Sequence, residues 1–425
     1  MQVFKFGGAS VKNAESVANV ATIVRKFQNE PLVVIVSAMG KTTNALEEVF
    51  QAQQRKEVPL ALELLDKVKL AHFEIINALF DESQTPLRVE VEHLFKQVEN
   101  LLKGFLPPKP NYVYDQIVSL GELLSTVIVS HYLNHSGVEN KWFDARTLVK
   151  TDYTFREAKI DWVRTEALIQ TSIGAYMEWG KGSVAISQGF IGGADTLNIT
   201  TLGREGSDYS AAVFAHCLNA NNLTIWKDVP GVLNADPRRF ENTVLIDEMS
   251  YRDSIELAYY GASVIHPKTL QPLQDKQIPL KVKSFENPDA PGTLIHQSPQ
   301  TEYHIPAFIV RPNQTLISLA TRDFAFIAEE NLSDIFQSFV THGVTMNIMQ
   351  SSAINFSVCV DTDTDKLPVL MEELRKKYEV RYNVDLELLT VRHYNKETVN
   401  QLVGDRKRYI EQRTRHTYRV LLPKN

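Results

Sequence analysis

The sequence predicts an α/β protein with a mostly parallel sheet, followed by a smaller α+β region. The first observation is a strand, a glycine turn, a helix and a second strand within residues 3–37, a βαβ pattern that indicates a parallel sheet. The second is a polar stretch at 296–304, after which one compact βαββα run begins. The third is the length of 425 residues, enough for two or three domains with their own cores.

Hydrophobic spacing places the elements of the first part. Residues 3–6 and 33–37 are apolar runs typical of buried parallel strands. Between them the valines of 17–24 recur on one helical face, with Asn13 as the expected N-cap. Residues 45–103 are charged with helical spacing, which predicts a helical hairpin. The remaining predicted elements are strands at 183–187, 197–202, 223–226 and 278–282, and helices at 209–218 and 251–260.

The C-terminal region carries two sets of shorter elements. The first set comprises strands at 316–320, 345–349 and 355–360, with helices at 332–341 and 366–377. The second comprises strands at 386–392 and 417–422, with a helix near 397–403. The two sets predict one small α+β module and part of another.

Composition excludes several classes of protein without indicating a chemistry. The chain is 44% hydrophobic and 23% charged, and its net charge of −6 gives no basic footprint for nucleic acid or anionic membranes. Cys217 and Cys359 are far apart and fit a reducing cytosol rather than a disulfide framework. Neither a signal peptide nor an uninterrupted membrane-spanning segment is expected, so the prediction is a cytoplasmic protein.

The loop that ends the second predicted strand contains Gly40-Lys41, within VVIVSAMGKTTN (33–44). A P-loop requires a further glycine five residues before this pair. That position is Ile35, inside the apolar strand, so the loop is not a P-loop. A loop at the carboxyl end of a parallel strand is nevertheless a common ligand site.

Four glycine-containing turns follow predicted strands, at 5–10, 37–44, 202–208 and 228–231. A doubly wound sheet brings such turns to one edge, where glycines and helix N-termini can approach a phosphate. Lys5 and Arg204 add cations to two of these turns. This combination indicates phosphoryl transfer, in which catalysis consists mainly of positioning and charge stabilisation.

Each of these features has a structural explanation when taken alone. A pair such as Gly7-Gly8 is commonly a tight turn, and 228–231 suits a plain β-turn. Ser207 suits a helix N-cap, Asp208 a first-turn acid and Glu122 a solvated helix-start carboxylate. The functional interpretation therefore depends on the whole set occurring in one order on one sheet.

In that order the motifs resemble those of the aspartokinases, in the amino-acid-kinase superfamily. The segments that carry the resemblance are KFGGAS (5–10), SAMGKTTN (37–44), SLGELLS (119–125), QGFIGG (188–193), TLGREGSDYSAA (201–212), WKDVPGVLNADPR (226–238), MSYRDSIELAYYGASVIHPKTL (249–270) and NPDAPGTLI (287–295). The resemblance implies an amino-acid-kinase catalytic domain at 1–297, with a three-layer sandwich around the sheet. It also implies a ferredoxin-like ACT regulatory region at 305–425, with one full module and a shortened second.

The reaction implied by this resemblance is the ATP-dependent phosphorylation of the side-chain carboxylate of L-aspartate. The product is 4-phospho-L-aspartate, in the first step of lysine, threonine and methionine biosynthesis, and Mg²⁺ should bridge the ATP phosphates. The acceptor carboxylate is ionised at neutral pH, so no general base is required. Lysine or threonine is the expected effector, on the strand and turn at 346–352, and a homodimer or higher homo-oligomer is the expected assembly.

Residue roles follow from the same resemblance, position by position. The expected catalytic residues are Lys5, on the ATP phosphates, and Asp208, which would orient the cations around them. The expected aspartate-binding residues are Thr43, Glu122 (on the ammonium), Arg204 and Ser207. The expected nucleotide-binding residues are Lys5, Gly7, Gly8, Ser10, Lys227, Asp228 and Arg238. No protein metal ligand is assigned.

The sequence departs from the family pattern at four positions, which are Ala9, Glu205, Leu233 and Ser263. Ser263 is the largest departure, because the family usually has a lysine there, near the ATP phosphates. Lys227 stands where threonine is more usual. We therefore hypothesise that the charge of Lys227 compensates for Ser263.

Two alternatives remain open. One is another kinase of this fold, acting on glutamate, N-acetylglutamate or UMP, although an ammonium-binding Glu122 argues against N-acetylated substrates. The other is a degraded kinase that serves as an amino-acid-sensing subunit, which only Ser263 and Glu205 support.

Overall fold

A computed structural model describes residues 1–81, 85–104, 107, 109–178, 183–195, 198–262, 265–297, 305–322 and 326–424. The chain divides into two compact units. The first contains 1–232, 245–255 and 264–302, and the second contains 233–244, 256–263 and 303–425. The sequence did not indicate that 233–244 and 256–263 belong with the C-terminal region. Long-range contacts within the second unit hold the first of these segments, including a ring contact of 5.6 Å between Phe240 and Phe308.

The first unit is built on an eight-stranded, mostly parallel sheet. Its strands, together with a separate antiparallel pair (β5 and β6), are β1 (Gln2–Phe6), β2 (Leu32–Val36), β3 (Lys141–Phe143), β4 (Val184–Gln188), β5 (Ile191–Gly193), β6 (Ile199–Thr201), β7 (Asn222–Lys227), β8 (Glu248–Ser250), β9 (Leu280–Ser284) and β10 (Thr293–His296). The order is β3-β4-β2-β1-β7-β9-β10-β8, and only β9 and β10 run antiparallel to each other. This sheet confirms the predicted fold class.

Helices of the first unit connect these strands, and α11 continues into the second unit. They are α1 (Ala14–Phe27), α2 (Thr42–Gln54), α3 (Val58–Leu79), α4 (Thr85–Lys103), α5 (Pro110–Val118), α6 (Leu120–His135), α7 (Ala145–Leu148), α8 (Trp162–Ile169), α9 (Ala175–Glu178), α10 (Gly206–Cys217), α11 (Tyr251–Tyr260) and α12 (Pro267–Asp275). Asn13 caps α1 as predicted, because its side chain accepts a hydrogen bond from Ser16 N at 2.9 Å.

The predicted helical hairpin at 45–103 is wrong, since this region contains the three helices α2, α3 and α4. The missed break lies where Lys56 adopts a left-handed conformation, with φ of 62°. Pro59 then stands in the first turn of α3, where its missing N–H is tolerated. The break between α2 and α3 was missed because it is short and because apolar residues have helical spacing on both sides of it.

The centre of the sheet explains why the glycine turns meet. Strand β1 lies between β2 and β7 and runs parallel to both, so the turns that follow these strands lie at one edge. The turns also contact each other, because Gly40 N donates to Gly8 O at 3.0 Å. A Cβ on Gly8 would lie 2.8 Å from the carbonyl oxygen of Gly40 and 2.9 Å from that of Ala38. Both distances are too short for a side-chain carbon. Gly8 therefore permits the close packing of the first two turns.

One helical stretch in the described residues, Pro110–His135, is long and apolar enough to cross a membrane. No uninterrupted membrane-spanning segment was expected from the sequence. However, 94% of its most apolar window is buried inside the fold. Burial of this extent is typical of core helices, and it accounts for the apolar character of α5 and α6.

The second unit contains a six-stranded antiparallel sheet, which agrees with the predicted α+β class. Its elements are β11 (Ala307–Thr321), α13 (Glu329–Thr341), β12 (Met346–Ser351), β13 (Asn355–Asp361), α14 (Lys366–Arg375), β14 (Tyr378–Arg392), α15 (Lys396–Val403), β15 (Ile410–Arg413) and β16 (Thr417–Pro423), with sheet order β12-β13-β11-β14-β16-β15. The sequence missed β15 and predicted only part of β11 and β14. Both long strands contain a residue with positive φ, Asn313 or Asp385, which interrupts the alternating pattern.

Each unit contains one of the two cysteines. Cys217 lies in α10 and Cys359 in β13, and both side chains are fully buried as free thiols. Burial raises the pKa of each thiol to about 12. The thiols are therefore almost entirely protonated at neutral pH.

Candidate active site

A buried ion pair forms the centre of the candidate site. Lys5, on β1, is only 7% exposed, and its Nζ lies 2.6 Å from Oδ1 of Asp208 in the first turn of α10. The Nζ of Lys227, at the end of β7, lies 4.0 Å from the other carboxylate oxygen of Asp208. The structure thus brings together three of the predicted site residues, which come from two neighbouring strands and one helix.

The charge state of Asp208 follows from its surroundings. Burial alone would raise its pKa, but the charges of Lys5 and Lys227 outweigh this effect and hold the pKa below its usual value. The first turn of α10 adds the positive end of a helix dipole. Asp208 therefore remains an anion that can position two cations.

A cavity of about 740 Å³ lies in the first unit. The four predicted substrate-binding residues all line it, and these are Thr43, Glu122, Arg204 and Ser207. They reach it from the starts of α2, α6 and α10 and from the loop before α10. The cavity therefore joins residues that are more than 160 positions apart in sequence.

Glu122 is unusual among the residues of this cavity because it is only 2% exposed. Its Oε1 accepts a hydrogen bond from Ala38 N at 3.2 Å, whereas its Oε2 has no hydrogen-bond partner among the described residues. Burial raises the pKa of Glu122 to about 8. The alternative of a solvated helix-start carboxylate is wrong, and the free oxygen suits a cationic ligand group.

The loop before α10 differs from its prediction. The helix begins at Gly206 rather than at residue 209, so Ser207 and Asp208 both lie in its first turn. Glu205 precedes the helix in the left-handed conformation, with φ of 53°. A Cβ on Gly189 would lie 2.6 Å from the Cβ of Ser207, so this glycine lets the start of α10 approach β4 closely. Ser207 is therefore not an N-cap.

The predicted nucleotide-binding residues belong to both units of the chain. Gly7 and Ser10 lie in the turn after β1, and Ser10 Oγ donates to Trp226 O at 3.5 Å, which links this turn to the end of β7. Asp228 directly follows β7. Arg238 belongs to the second unit, where its largely exposed side chain pairs with Asp236 at 2.8 Å. The nucleotide-binding roles of these residues, and of Lys5, Gly8 and Lys227, remain predictions.

Ser263, whose missing charge Lys227 is hypothesised to replace, lies outside the described residues. The position of Lys227 beside Asp208 is consistent with a cationic role.

Another part of the cavity was not predicted from the sequence. Tyr114 donates a hydrogen bond of 2.6 Å from its hydroxyl to Glu47 Oε1, and the guanidinium of Arg156 lies 4.0 Å from the centroid of the Tyr114 ring. All three residues line the cavity. No spacing or motif connects them in the sequence. The structure, but not the sequence, marks the loop of Arg156 as unusual, because the φ of this residue is 71°.

Comparisons with known proteins agree with this architecture. A model of the Amino acid kinase family matches residues 1–284. Lysine-sensitive aspartokinase 3 of Escherichia coli is 32% identical over 360 residues, which cover 85% of this chain and 78% of that enzyme. The structure resembles crystal structures of E. coli aspartokinase III with lysine and aspartate (TM-score 0.84) and with aspartate and ADP (TM-score 0.80). Each has 29% identity over all of this chain and 96% of the other.

The raised pKa of Glu122 predicts a specific pH dependence of stability. Between its ordinary value of 4.5 and the folded value of about 8, the folded state holds a proton that the unfolded state releases. Stability should therefore fall as pH rises through this window, by at most about 1.4 kcal/mol per pH unit. Glu122→Gln removes this contribution. As the pH rises from 5 to 8, the melting temperature of the variant should therefore increase relative to that of the wild type.

Thermal melts at a series of pH values measure this effect. The matched control is Glu74→Gln, which changes an exposed glutamate on α3 and should follow the wild-type curve. Parallel curves for Glu122→Gln and the wild type would contradict the raised pKa.

Proposed function

Because the chain belongs to the aspartokinases of the amino acid kinase family, we propose that it phosphorylates the side-chain carboxylate of L-aspartate with ATP. The products are 4-phospho-L-aspartate and ADP, in the first step of lysine, threonine and methionine biosynthesis. One observation carries the assignment of the acceptor. The free oxygen of a buried carboxylate, Glu122 Oε2, lines the same cavity as the cation Arg204.

The chemistry of aspartate matches this cavity. The amino acid carries an ammonium and two carboxylates at neutral pH. Glu122 binds the ammonium, which supplies the missing partner of Oε2 and favours the ionised carboxylate. Arg204 binds the α-carboxylate as a forked donor, and the hydroxyls of Thr43 and Ser207 add hydrogen bonds.

Phosphoryl transfer then needs positioning rather than base catalysis. An oxygen of the aspartate side-chain carboxylate attacks the γ-phosphorus of ATP, and the bond from that phosphorus to the β,γ-bridging oxygen breaks to release ADP. Lys5 and Lys227, both oriented by Asp208, stabilise the negative charge on the transferred group. Gly7, Gly8 and Ser10 form the turn proposed to face the nucleotide phosphates, and Asp228 is proposed to complete the nucleotide contacts within the first unit.

Mg²⁺ fits this arrangement as an ion held mainly by the substrate. The described residues contain no group of three or more His, Cys, Asp or Glu side chains suited to hold a metal. Mg²⁺ commonly takes its ligands from phosphate oxygens and water, with few from the protein. When bound, it would neutralise charge on the β- and γ-phosphates.

The structure argues against the degraded kinase more strongly than against another kinase of this fold. Glutamate also carries an ammonium and two carboxylates, so a glutamate kinase remains the closest rival in chemistry. The degraded kinase is disfavoured, because Lys5 and Asp208 form an intact pair beside a formed cavity.

The direct test mixes the purified protein with ATP, Mg²⁺, L-aspartate and hydroxylamine. We expect aspartyl hydroxamate to accumulate, because hydroxylamine traps the acyl phosphate. Formation of hydroxamate from glutamate but not from aspartate would indicate that the protein is a glutamate kinase. An absence of ADP formation with either acceptor would favour the sensing subunit.

The position of Lys227 predicts a kinetic effect on the chemical step. Lys227→Thr should lower kcat by about tenfold to a hundredfold while leaving the KM for aspartate within about twofold, since the cation acts on the transferred phosphate. Adding Ser263→Lys to this variant should restore activity. The matched control is Lys41→Thr, an exposed lysine of the Gly-Lys pair, which should leave kcat unchanged. A kinetically silent Lys227→Thr would contradict the compensation hypothesis.

Regulation forms a separate part of the proposal. The E. coli relative is named as lysine-sensitive and has been crystallised with lysine. We propose that lysine, or threonine, binds the ACT-like region near β12, an edge strand whose Met349 and Gln350 are exposed. We further propose that the protein is a cytoplasmic homodimer or higher homo-oligomer.

Kinase activity measured with lysine, threonine or both tests this regulation. We expect lysine to inhibit at saturating aspartate, and Gln350→Ala to weaken inhibition without lowering basal activity. Light scattering in the same buffers gives the oligomeric state. Activity that is insensitive to both amino acids would remove the regulatory proposal and leave the kinase assignment intact.

A further inference from the structure

Arg156 occupies a position in the cavity that its local sequence does not explain. It has a φ of 71°, in the left-handed region that disfavours most side chains other than glycine, asparagine and aspartate. Its side chain nevertheless lines the cavity together with Glu122 and Arg204. A strained backbone that presents a cation to a ligand cavity points to a function for that cation.

A buried carboxylate holds this backbone in place. Asp115, on α5, is fully buried and accepts two contacts from Arg156 N, of 3.0 and 3.2 Å. The same carboxylate accepts hydrogen bonds from Thr201 N at 2.9 Å and Thr201 Oγ1 at 2.8 Å. Asp115 therefore fixes the Arg156 loop to β6 and is the positioning residue for Arg156.

The side chain of Arg156 is also oriented. Its guanidinium lies over the ring of Tyr114, whose hydroxyl is held by Glu47. Stacking of this kind uses the flat face of a guanidinium and leaves its N–H edge able to bind a carboxylate. Its charge also acts on the Tyr114 hydroxyl and on the Asp115 carboxylate, but among the described residues no carboxylate lies at ion-pair distance from Arg156.

The charges around the cavity favour a second cation. Four carboxylates line it, from Glu47, Glu122, Glu157 and Glu205, against the two guanidinium groups of Arg156 and Arg204. The acceptor brings two more carboxylates and one ammonium. A second cation beside Arg204 therefore favours the binding of an anionic amino acid.

We propose that Arg156 is a second substrate-binding cation, which holds the α-carboxylate of aspartate together with Arg204. This inference rests on the proposed function. It assigns Arg156 a role in selectivity, because an acceptor whose α-carboxylate is replaced by an amide would lose the charge that Arg156 binds.

The variant Arg156→Gly tests this role with little risk to folding, since glycine readily adopts a positive φ. Its melting temperature should equal or exceed that of the wild type. The KM for aspartate should rise by about tenfold to a hundredfold, as for loss of a charge-assisted hydrogen-bond pair. The KM for ATP should stay within about twofold. Arg156→Asn, which also tolerates this conformation, should behave alike.

Selectivity separates substrate binding from a general electrostatic effect. The kcat/KM ratio of L-aspartate to its α-amide should fall in Arg156→Gly by about the factor by which the aspartate KM rises. An equal loss for both acceptors would show that Arg156 only balances the cavity carboxylates. The matched control is Lys56→Gly, which removes an exposed cation at another positive-φ position (62°). It should leave unchanged both the KM for aspartate and the kcat/KM ratio of L-aspartate to its α-amide.

The outcomes also separate this inference from the proposed function. If the wild type phosphorylates aspartate but Arg156→Gly retains its KM and its selectivity, only the role of Arg156 is overturned. If the wild type forms no aspartyl hydroxamate, the proposed function fails and the role of Arg156 falls with it.

Discussion

The buried ion pair between Lys5 and Asp208 sets the positions of the other charged groups in the candidate site. A buried ammonium beside apolar strands is energetically costly unless a carboxylate compensates its charge. Asp208 provides that charge at 2.6 Å from the first turn of α10, and so fixes the helix to the central strand β1. Because Lys227 shares the same carboxylate, two cations are held near the glycine turns before any phosphate arrives. The tight packing at Gly8 and Gly189 maintains this geometry.

The sequence predicts those parts of the fold that depend on local spacing. The parallel sheet follows from the strand, glycine turn and helix at the N-terminus, and Asn13 caps α1 as its side chain requires. Features that depend on distant contacts were missed. Residues 233–244 pack with the C-terminal unit through contacts such as that of Phe240, which no local pattern records. The lengths of β11 and β14 were missed because a positive-φ residue interrupts the alternation of each.

The candidate site divides in the same way. A resemblance of motifs assigned Glu122 to the substrate, but its burial and its raised pKa follow from packing that the sequence does not reveal. Arg156 belongs to no motif at all. Its placement depends on Asp115, 41 residues earlier, and on a ring that becomes its neighbour only in the folded chain. Chemistry that is built from long-range contacts is therefore the part of a site that sequence patterns reveal least.

The two cysteines make the folding of each unit separately observable. Cys217 belongs to the first unit and Cys359 to the second, and each is fully buried with a pKa near 12. Burial keeps both thiols protonated and inaccessible at pH 7, so maleimide or iodoacetamide should modify neither residue while the chain is folded. Opening of either unit exposes one thiol of known position. Timed alkylation followed by peptide mapping would thus record the two unfolding rates in one sample, without any engineered label.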